Sequence, residues 1–273
     1  MAARVAWYDV KKGWLRDIII VLHFPYTMWH LAYVVIGAAL APSLNWVALG
    51  WTLAAFFLAM GIGAHCLDEL QGRPLRTEIP GWVLAIAAVV AIAGAVSIGA
   101  AVGVKQTLWV IPCIIFGGFI VFAYNLEWFK GFFHHDFWFG FAWGAFPVVT
   151  AYIAQAHTLS WGAVGIALAC LIYSLAQRVL STQVRFFRRK VSALEGRYQV
   201  ETITARGIQI VEDSGESPTL GFLRSHPNVT AQGKLRTESV SKGMIIEAPE
   251  KALKLMTWTV GVAALGLLLR NIV

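Results

Sequence analysis

The feature that most constrains this chain is its series of seven apolar runs, each about as long as a bilayer is thick. Roughly 20 helical residues cross a hydrocarbon core about 30 Å deep, and the runs fall near residues 15–41, 46–67, 81–103, 107–125, 137–156, 160–177 and 251–270. Pro42, Asn45, Pro80, Gly81 and the stretch from Gly103 to Lys105 mark breaks between them. A backbone in lipid must satisfy its own N–H and C=O groups, and these runs lack the alternation of a barrel strand, so each predicts a helix. The expected fold is all-α, a polytopic transmembrane bundle of about seven helices. The first apolar run is too long for a cleaved signal and has no small-residue cleavage site near its end, so it is expected to stay as the first span. Composition agrees, because 58% of the 273 residues are hydrophobic and only 14% charged, a balance that a water-soluble domain of this size could not bury.

Charge placement predicts orientation. If seven spans start from one side, Arg4, Lys11, Lys12, Arg16, Arg73, Arg76, Lys130, Arg178, Arg185, Arg188, Arg189 and Lys190 share that side, and only Lys105 and Arg270 fall opposite. The positive-inside rule makes the shared side cytosolic, giving a multi-pass cell-membrane protein with its N-terminus and polar loops in the cytosol. The net charge of +7 thus reads as a topology signal with attraction to anionic lipid, and nothing in it calls for nucleic acid. Cys66, Cys113 and Cys170 lie in separate apolar runs without metal or disulfide spacing, so they read as small hydrophobes.

The expected organisation is a six-helix bundle over residues 1–190, a cytosolic loop or small β-containing insertion over 191–250, and a final transmembrane helix over 251–273. Gln199 to Thr204 and Gly207 to Val211 lean toward strand, and the stretch from Asp213 to Pro218 has the composition of a mobile loop, with a lid over the membrane site as the functional alternative.

Three polar clusters fall at span ends on the shared side. His65, Asp68 and Glu69, at i, i+3 and i+4, emerge on one helix face, a spacing that suits one Mg²⁺ held by carboxylates and by phosphates of a substrate; Mn²⁺ is the alternative. A polar helix end in which Asp68 and Glu69 pair with Arg73 or Arg76 is the structural alternative. Tyr124, Asn125, Glu127 and Lys130, followed by His134, His135 and Asp136, form the second cluster; Asn125 offers an oxygen and Lys130 a point charge for phosphate. Gln177 and Arg178, with Arg185 further on, form the third, and guanidinium groups recognise phosphate bidentately. Inside the first span, His23, Tyr26, Thr27, His30 and Tyr33 make a polar aromatic stripe that should face inward, for interhelical hydrogen bonding or for ligand contact. Converging on one cavity, these clusters would suit a ligand with an apolar tail and an anionic head, such as an isoprenoid diphosphate or an anionic lipid.

The order of these features resembles the UbiA-type intramembrane prenyltransferase superfamily. Ala64-His65-Cys66-Leu67-Asp68 followed by Arg73-Pro74-Leu75 is similar to a shortened form of the family's first Asp-rich motif, which ends in Arg-Pro-Leu. Tyr124 to Lys130, then Phe139 to Pro147, is similar to its Tyr-x-x-x-Lys segment and glycine-bearing fifth helix. Ala64 stands where the family has Asn, His65 where it has a carboxylate, and Gln177, Arg178 and Arg185 occupy the neighbourhood of its second Asp-rich motif. The resemblance implies a prenyltransferase-like or terpene-cyclase-like protein in which Asp68, Glu69, Asn125 and Lys130 act at the reacting diphosphate. His30, Arg73, Tyr124, Gln177, Arg178 and Arg185 would bind substrate, and His65, Asp68 and Glu69 would hold the metal. A non-catalytic isoprenoid or lipid binder, or a transporter, on the same fold stands beside it.

Overall fold

The structure, a computed structural model, describes residues 6–10, 13–194, 196–205 and 231–272. It contains seven helices long and apolar enough to cross a membrane: α1 Trp14–Ala39, α2 Trp46–Leu70, α3 Gly81–Gln106, α4 Leu108–Asn125, α5 Asp136–Ala156, α6 Trp161–Arg189 and α7 Lys242–Leu269. These are the helices of a multi-pass membrane protein. Two boundaries differ from the sequence expectation by more than a turn: α6 runs on from 177 to Arg189, and α7 begins at Lys242 instead of 251. Both extensions are polar, so hydropathy stops counting them while the helix continues.

Exposed tryptophans open five of the helices. Trp14 and Trp82 start α1 and α3, and Trp46, Trp109 and Trp161 start α2, α4 and α6. Helices that cross in alternate directions put the first pair on one face and the other three on the opposite face. An indole, with an apolar body and one N–H, is favoured at both interfaces.

Several helices are irregular in ways that shape the interior. α1 breaks at Leu22–His23, where His23 adopts a left-handed φ of 45°; the Thr27 hydroxyl donates to the freed Leu22 carbonyl at 2.6 Å. α2, α3 and α5 each contain a π-helical segment, at Phe57–Ala64, Gly99–Gly103 and Phe141–Ala145. Asn45 caps α2 by accepting from the Val47 and Ala48 N–H groups, both at 3.0 Å. Its own backbone exchanges two hydrogen bonds with the Gln155 side chain near the end of α5, so two span ends are tied together.

Contacts divide the chain into two units, one comprising residues 5–179 and 254–273 and the other comprising residues 1–4 and 180–253. In the first unit, Ile20, Phe56, Met60, Leu84, Ile92, Ile120 and Tyr124 belong to one buried cluster drawn from α1 to α5. A second cluster joins Trp29 and Tyr33 of α1, Ala145 and Val148 of α5, Ala167 and Cys170 of α6, and Val260 and Ala264 of α7. Close backbone contact makes this second meeting possible. A Cβ on Gly37 would lie 2.2 Å from the Val148 carbonyl oxygen, and one on Gly144 would lie 2.7 Å from that of Cys170. Membrane helices associate through such small-residue contacts because lipid supplies no hydrophobic drive between them. Tyr33 donates to the Cys170 carbonyl at 3.3 Å and receives Ser174 Oγ at 3.2 Å, so this part of the α1 stripe serves interhelical hydrogen bonding. Cys66, Cys113 and Cys170 are free thiols.

The second unit holds the end of α6, the start of α7 and two strands, β1 Arg197–Ala205 and β2 Ala231–Ser239, paired antiparallel from Arg197 opposite Ser239 to Ala205 opposite Ala231. Arg188 grips Glu250 through two nitrogens at 2.5 and 2.8 Å, and Lys242 Nζ donates to the Val191 carbonyl. The Gln199 to Thr204 run lies within β1. Gly207 to Val211 and the loop or lid of Asp213 to Pro218 lie outside the described residues.

Gly37→Ala should cost about 3 kcal/mol through overpacking against the α5 backbone, whereas Gly50→Ala, with open space at its Cβ position, should stay within about 0.5 kcal/mol. Unfolding in mixed micelles followed by circular dichroism would measure both.

Candidate functional site

Polar residues gather in two places in the first unit, and an apolar cleft of the same unit runs up to the second of these places.

The first lies where α1, α2 and the α2–α3 loop meet. His65 stacks on His23 with ring centroids 4.5 Å apart and planes 19° from parallel. Each ring has Nδ1 near a backbone carbonyl, that of Gly61 at 3.2 Å for His65 and that of Val21 at 3.1 Å for His23. The Leu22 carbonyl also lies within hydrogen-bonding reach of the His65 ring. Asp68, one turn beyond His65, is half-buried, and its carboxylate makes no hydrogen bond or ion pair among the described residues. Glu69 is differently employed. It is fully buried, and its carboxylate accepts from Leu75 N at 2.9 Å, Thr77 N at 3.0 Å and Thr77 Oγ1 at 2.8 Å. It therefore faces the loop that follows it, away from the metal role expected beside Asp68.

The same loop is held from α1. Arg16 is bound to Asp9 and Asp17, each at 2.9 Å, and donates to the Leu75 and Arg76 carbonyls at 3.2 and 3.3 Å. Asp17 also accepts from Glu78 N at 2.7 Å. Arg73 and Arg76 both take a left-handed φ of 55°, which costs a non-glycine residue about 1–2 kcal/mol each. Arg73 turns its guanidinium back to the Ile79 carbonyl at 2.6 Å. Arg16 and Asp17 were missed in the sequence, although a charged pair inside the first apolar run is a signal that such residues have partners.

The second gathering joins α4, α5 and α6. Arg178 donates through Nη1 to the Tyr124 hydroxyl at 2.6 Å and through Nε to Asp136, and its guanidinium lies 4.9 Å from the Phe139 ring centre. His134 stacks on Tyr124 at 4.6 Å, with its Nδ1 2.9 Å from the Tyr124 carbonyl. The Asp136 carboxylate is mostly exposed, so the pair is worth little on its own. Tyr124 and Arg178, both expected to bind substrate, are thus brought together, and Gln177 beside them is buried. Asn125 is buried but donates to Val121 within its own helix at 2.7 Å. Lys130 is exposed on a left-handed turn, φ 58°, between exposed Phe129 and Phe132. His30 is buried, with its Nδ1 unpartnered among the described residues. Arg185 belongs to the other unit, where it bonds the Ser181 carbonyl and the Thr182 hydroxyl on its own helix.

The cleft lies between α2, α3, α4 and α5 and encloses about 960 Å³, counting its open mouth. Ala55, Ala59, Gly99, Gly103, Gly117 and Gly118 open its walls, and every π segment contributes, with Met60, Val102 and Trp143 among the lining residues. Such segments are rare and cluster at functional sites. From Ala48 to Met60 the wall follows α2 for roughly 18 Å, over half the hydrocarbon thickness. At one end stands Trp143, whose ring lies 4.6 Å from that of Tyr124. The cleft thereby runs up to the aromatic wall behind Arg178.

A divalent ion would find a thin donor set. Among the described residues no three His, Cys, Asp or Glu side chains form a metal-binding group, and both Glu69 oxygens are committed. Asp68 and His65 are the donors left, so an ion there would complete its shell with water and ligand oxygens, as Mg²⁺ commonly does.

Glu69→Ala should cost about 3–5 kcal/mol, because it strands the Leu75 and Thr77 amides in a buried site. Asp68→Asn, which breaks no bond, should cost under about 1 kcal/mol; parallel denaturation of the two variants would show the contrast.

No protein family, curated protein or solved structure matches this chain.

Proposed function

We propose that this chain is a divergent intramembrane protein of UbiA type that binds an isoprenoid diphosphate, with the head at the cytosolic face and the prenyl tail in the cleft. The observation that carries this reading is the junction at Trp143. Trp143 lines an apolar cleft of chain-like length, and its ring packs on Tyr124, which is hydrogen-bonded to the Arg178 guanidinium. A hydrocarbon tail and an anionic head would each find matching surroundings.

The reaction this suits is prenyl transfer or cyclisation. The bond between the allylic carbon and the diphosphate oxygen breaks, its electron pair leaves with the diphosphate, a nucleophile or an internal alkene closes on the carbon, and the cationic adduct loses a proton to water or to the released diphosphate. Neutralising the leaving group is the main demand. Arg178, Lys130 and Arg73 supply positive charge, and Tyr124 and Gln177 supply hydrogen bonds. Asp68 with His65 would hold a single Mg²⁺, which adds Lewis-acid neutralisation when bound. The aromatic rings of Trp143 and Tyr124 would shield the carbocation from water, a role suited to π faces.

A second reading, a binder or transporter that performs no chemistry, is favoured by one observation. Arg178 already has Asp136 as counter-ion, so less of its charge is free for a leaving group.

Purified protein incubated with farnesyl or geranylgeranyl diphosphate and Mg²⁺ or Mn²⁺ should release pyrophosphate, and Asp68→Asn should lower the rate by about a hundredfold. Tail-dependent binding without release under either metal would favour the binder, and neither binding nor release would end both readings.

A further inference from the structure

The α2–α3 loop combines features that local stability alone does not account for. Arg76 keeps a left-handed φ of 55° on a short turn, a conformation that glycine adopts without penalty. Its side chain is exposed and makes no hydrogen bond or ion pair among the described residues, in contrast to Arg73, which bonds Ile79. Strain of this kind persists only where the surroundings impose it. Here they are elaborate: Glu69, Arg16 and Asp17, all buried, hold Leu75, Arg76, Thr77 and Glu78 by their backbone groups. Leu75 is wholly buried beneath the turn. A clamp of three buried ionised side chains is costly to assemble, and what it leaves outside is one unpaired guanidinium.

We infer that Arg76 is a phosphate-binding residue, and that Glu69, Arg16 and Asp17 are positioning residues that preset its loop. This rests on the reading of this face as a diphosphate site, and it assigns Glu69 to the loop and away from the metal. A guanidinium suits a phosphate because its planar donors match two oxygens, and a loop held before binding loses little entropy on binding. The phosphate could belong to the diphosphate of a prenyl substrate or to a phospholipid of the bilayer.

The test uses the full chain in detergent and farnesyl thiodiphosphate, a slowly reacting probe. Arg76→Gly should weaken probe binding about ten- to a hundredfold, as loss of a charged hydrogen bond does, and should leave thermal stability equal or higher, since glycine relieves the φ of 55°. Arg76→Lys should recover part of the affinity. Glu69→Gln and Asp17→Asn should weaken binding with Arg76 intact and should speed trypsin cleavage after Arg76; the bond after Arg73 resists trypsin because Pro74 follows. Glu69→Gln should also leave the Mn²⁺ requirement for probe binding unchanged, whereas Asp68→Asn should raise it.

Wild-type affinity in Arg76→Gly, or a marked fall in its melting temperature, would overturn the assignment of Arg76. Unchanged trypsin cleavage in both clamp variants would overturn the positioning role. If the wild type itself does not hold the probe, the diphosphate reading fails. Loss of co-purifying phosphatidylglycerol from Arg76→Gly, seen by native mass spectrometry, would in that case support Arg76 as a ligand for bilayer phosphate.

Discussion

The near-contact of α1 with α5, and of α5 with α6, is the constraint on which the first unit most depends. Gly37 lets the α1 backbone meet Val148, and Gly144 lets α5 meet Cys170. With the backbones this close, Tyr33 can bridge from α1 to Cys170 and Ser174, and Trp29 can pack against Tyr173 at 5.3 Å. Burial differs accordingly. The most apolar window of α5 is 61% buried and that of α7 only 17%, so α5 is the element surrounded by protein while α7 spends most of its surface on its surroundings. α5 also carries Trp143 and Phe139, so the helix that organises the bundle presents the aromatic wall between cleft and guanidinium.

The charged residues divide into two kinds. Arg16, Asp17 and Glu69 are buried, and their bonds go to loop backbone, to one another, to Asp9 and to the Thr77 hydroxyl. Asp68, Arg76 and Lys130 are at least partly open. That division explains how the ends of apolar helices can hold so many ionisable groups. Some act as internal scaffolding for loops that a short connection would otherwise leave without partners, and the remainder keep side chains at least partly exposed.

The span count was legible because hydropathy needs only composition and length, and the ends marked by Asn45 and Gly81 were legible because they carry ordinary stop and start chemistry. The Tyr124 and Arg178 pairing was half legible: both residue types suggested an anion site, but their meeting depends on how α4 and α6 pack. Glu69 was read beside Asp68 from helical spacing, and here the spacing misled. Adjacent residues diverge by about 100° on a helix, and the loop amides competed successfully for the carboxylate. The extension of α6 to Arg189 was hidden because its polar turns lower the hydropathy without interrupting the helix. The cleft was invisible, since it arises from small residues on four helices that no linear window compares.

The π segments bear on how this chain can vary. A π turn amounts to one extra residue accommodated inside an α-helix, so the residues on either side are out of phase with a 3.6-residue count by about 100°. In related chains, single-residue insertions and deletions should therefore fall inside the spans, near positions 57–64, 99–103 and 141–145, where gaps are ordinarily assigned to loops. The reshaped wall would be the cleft's, so length variation within the helices would be a record of changing ligand shape.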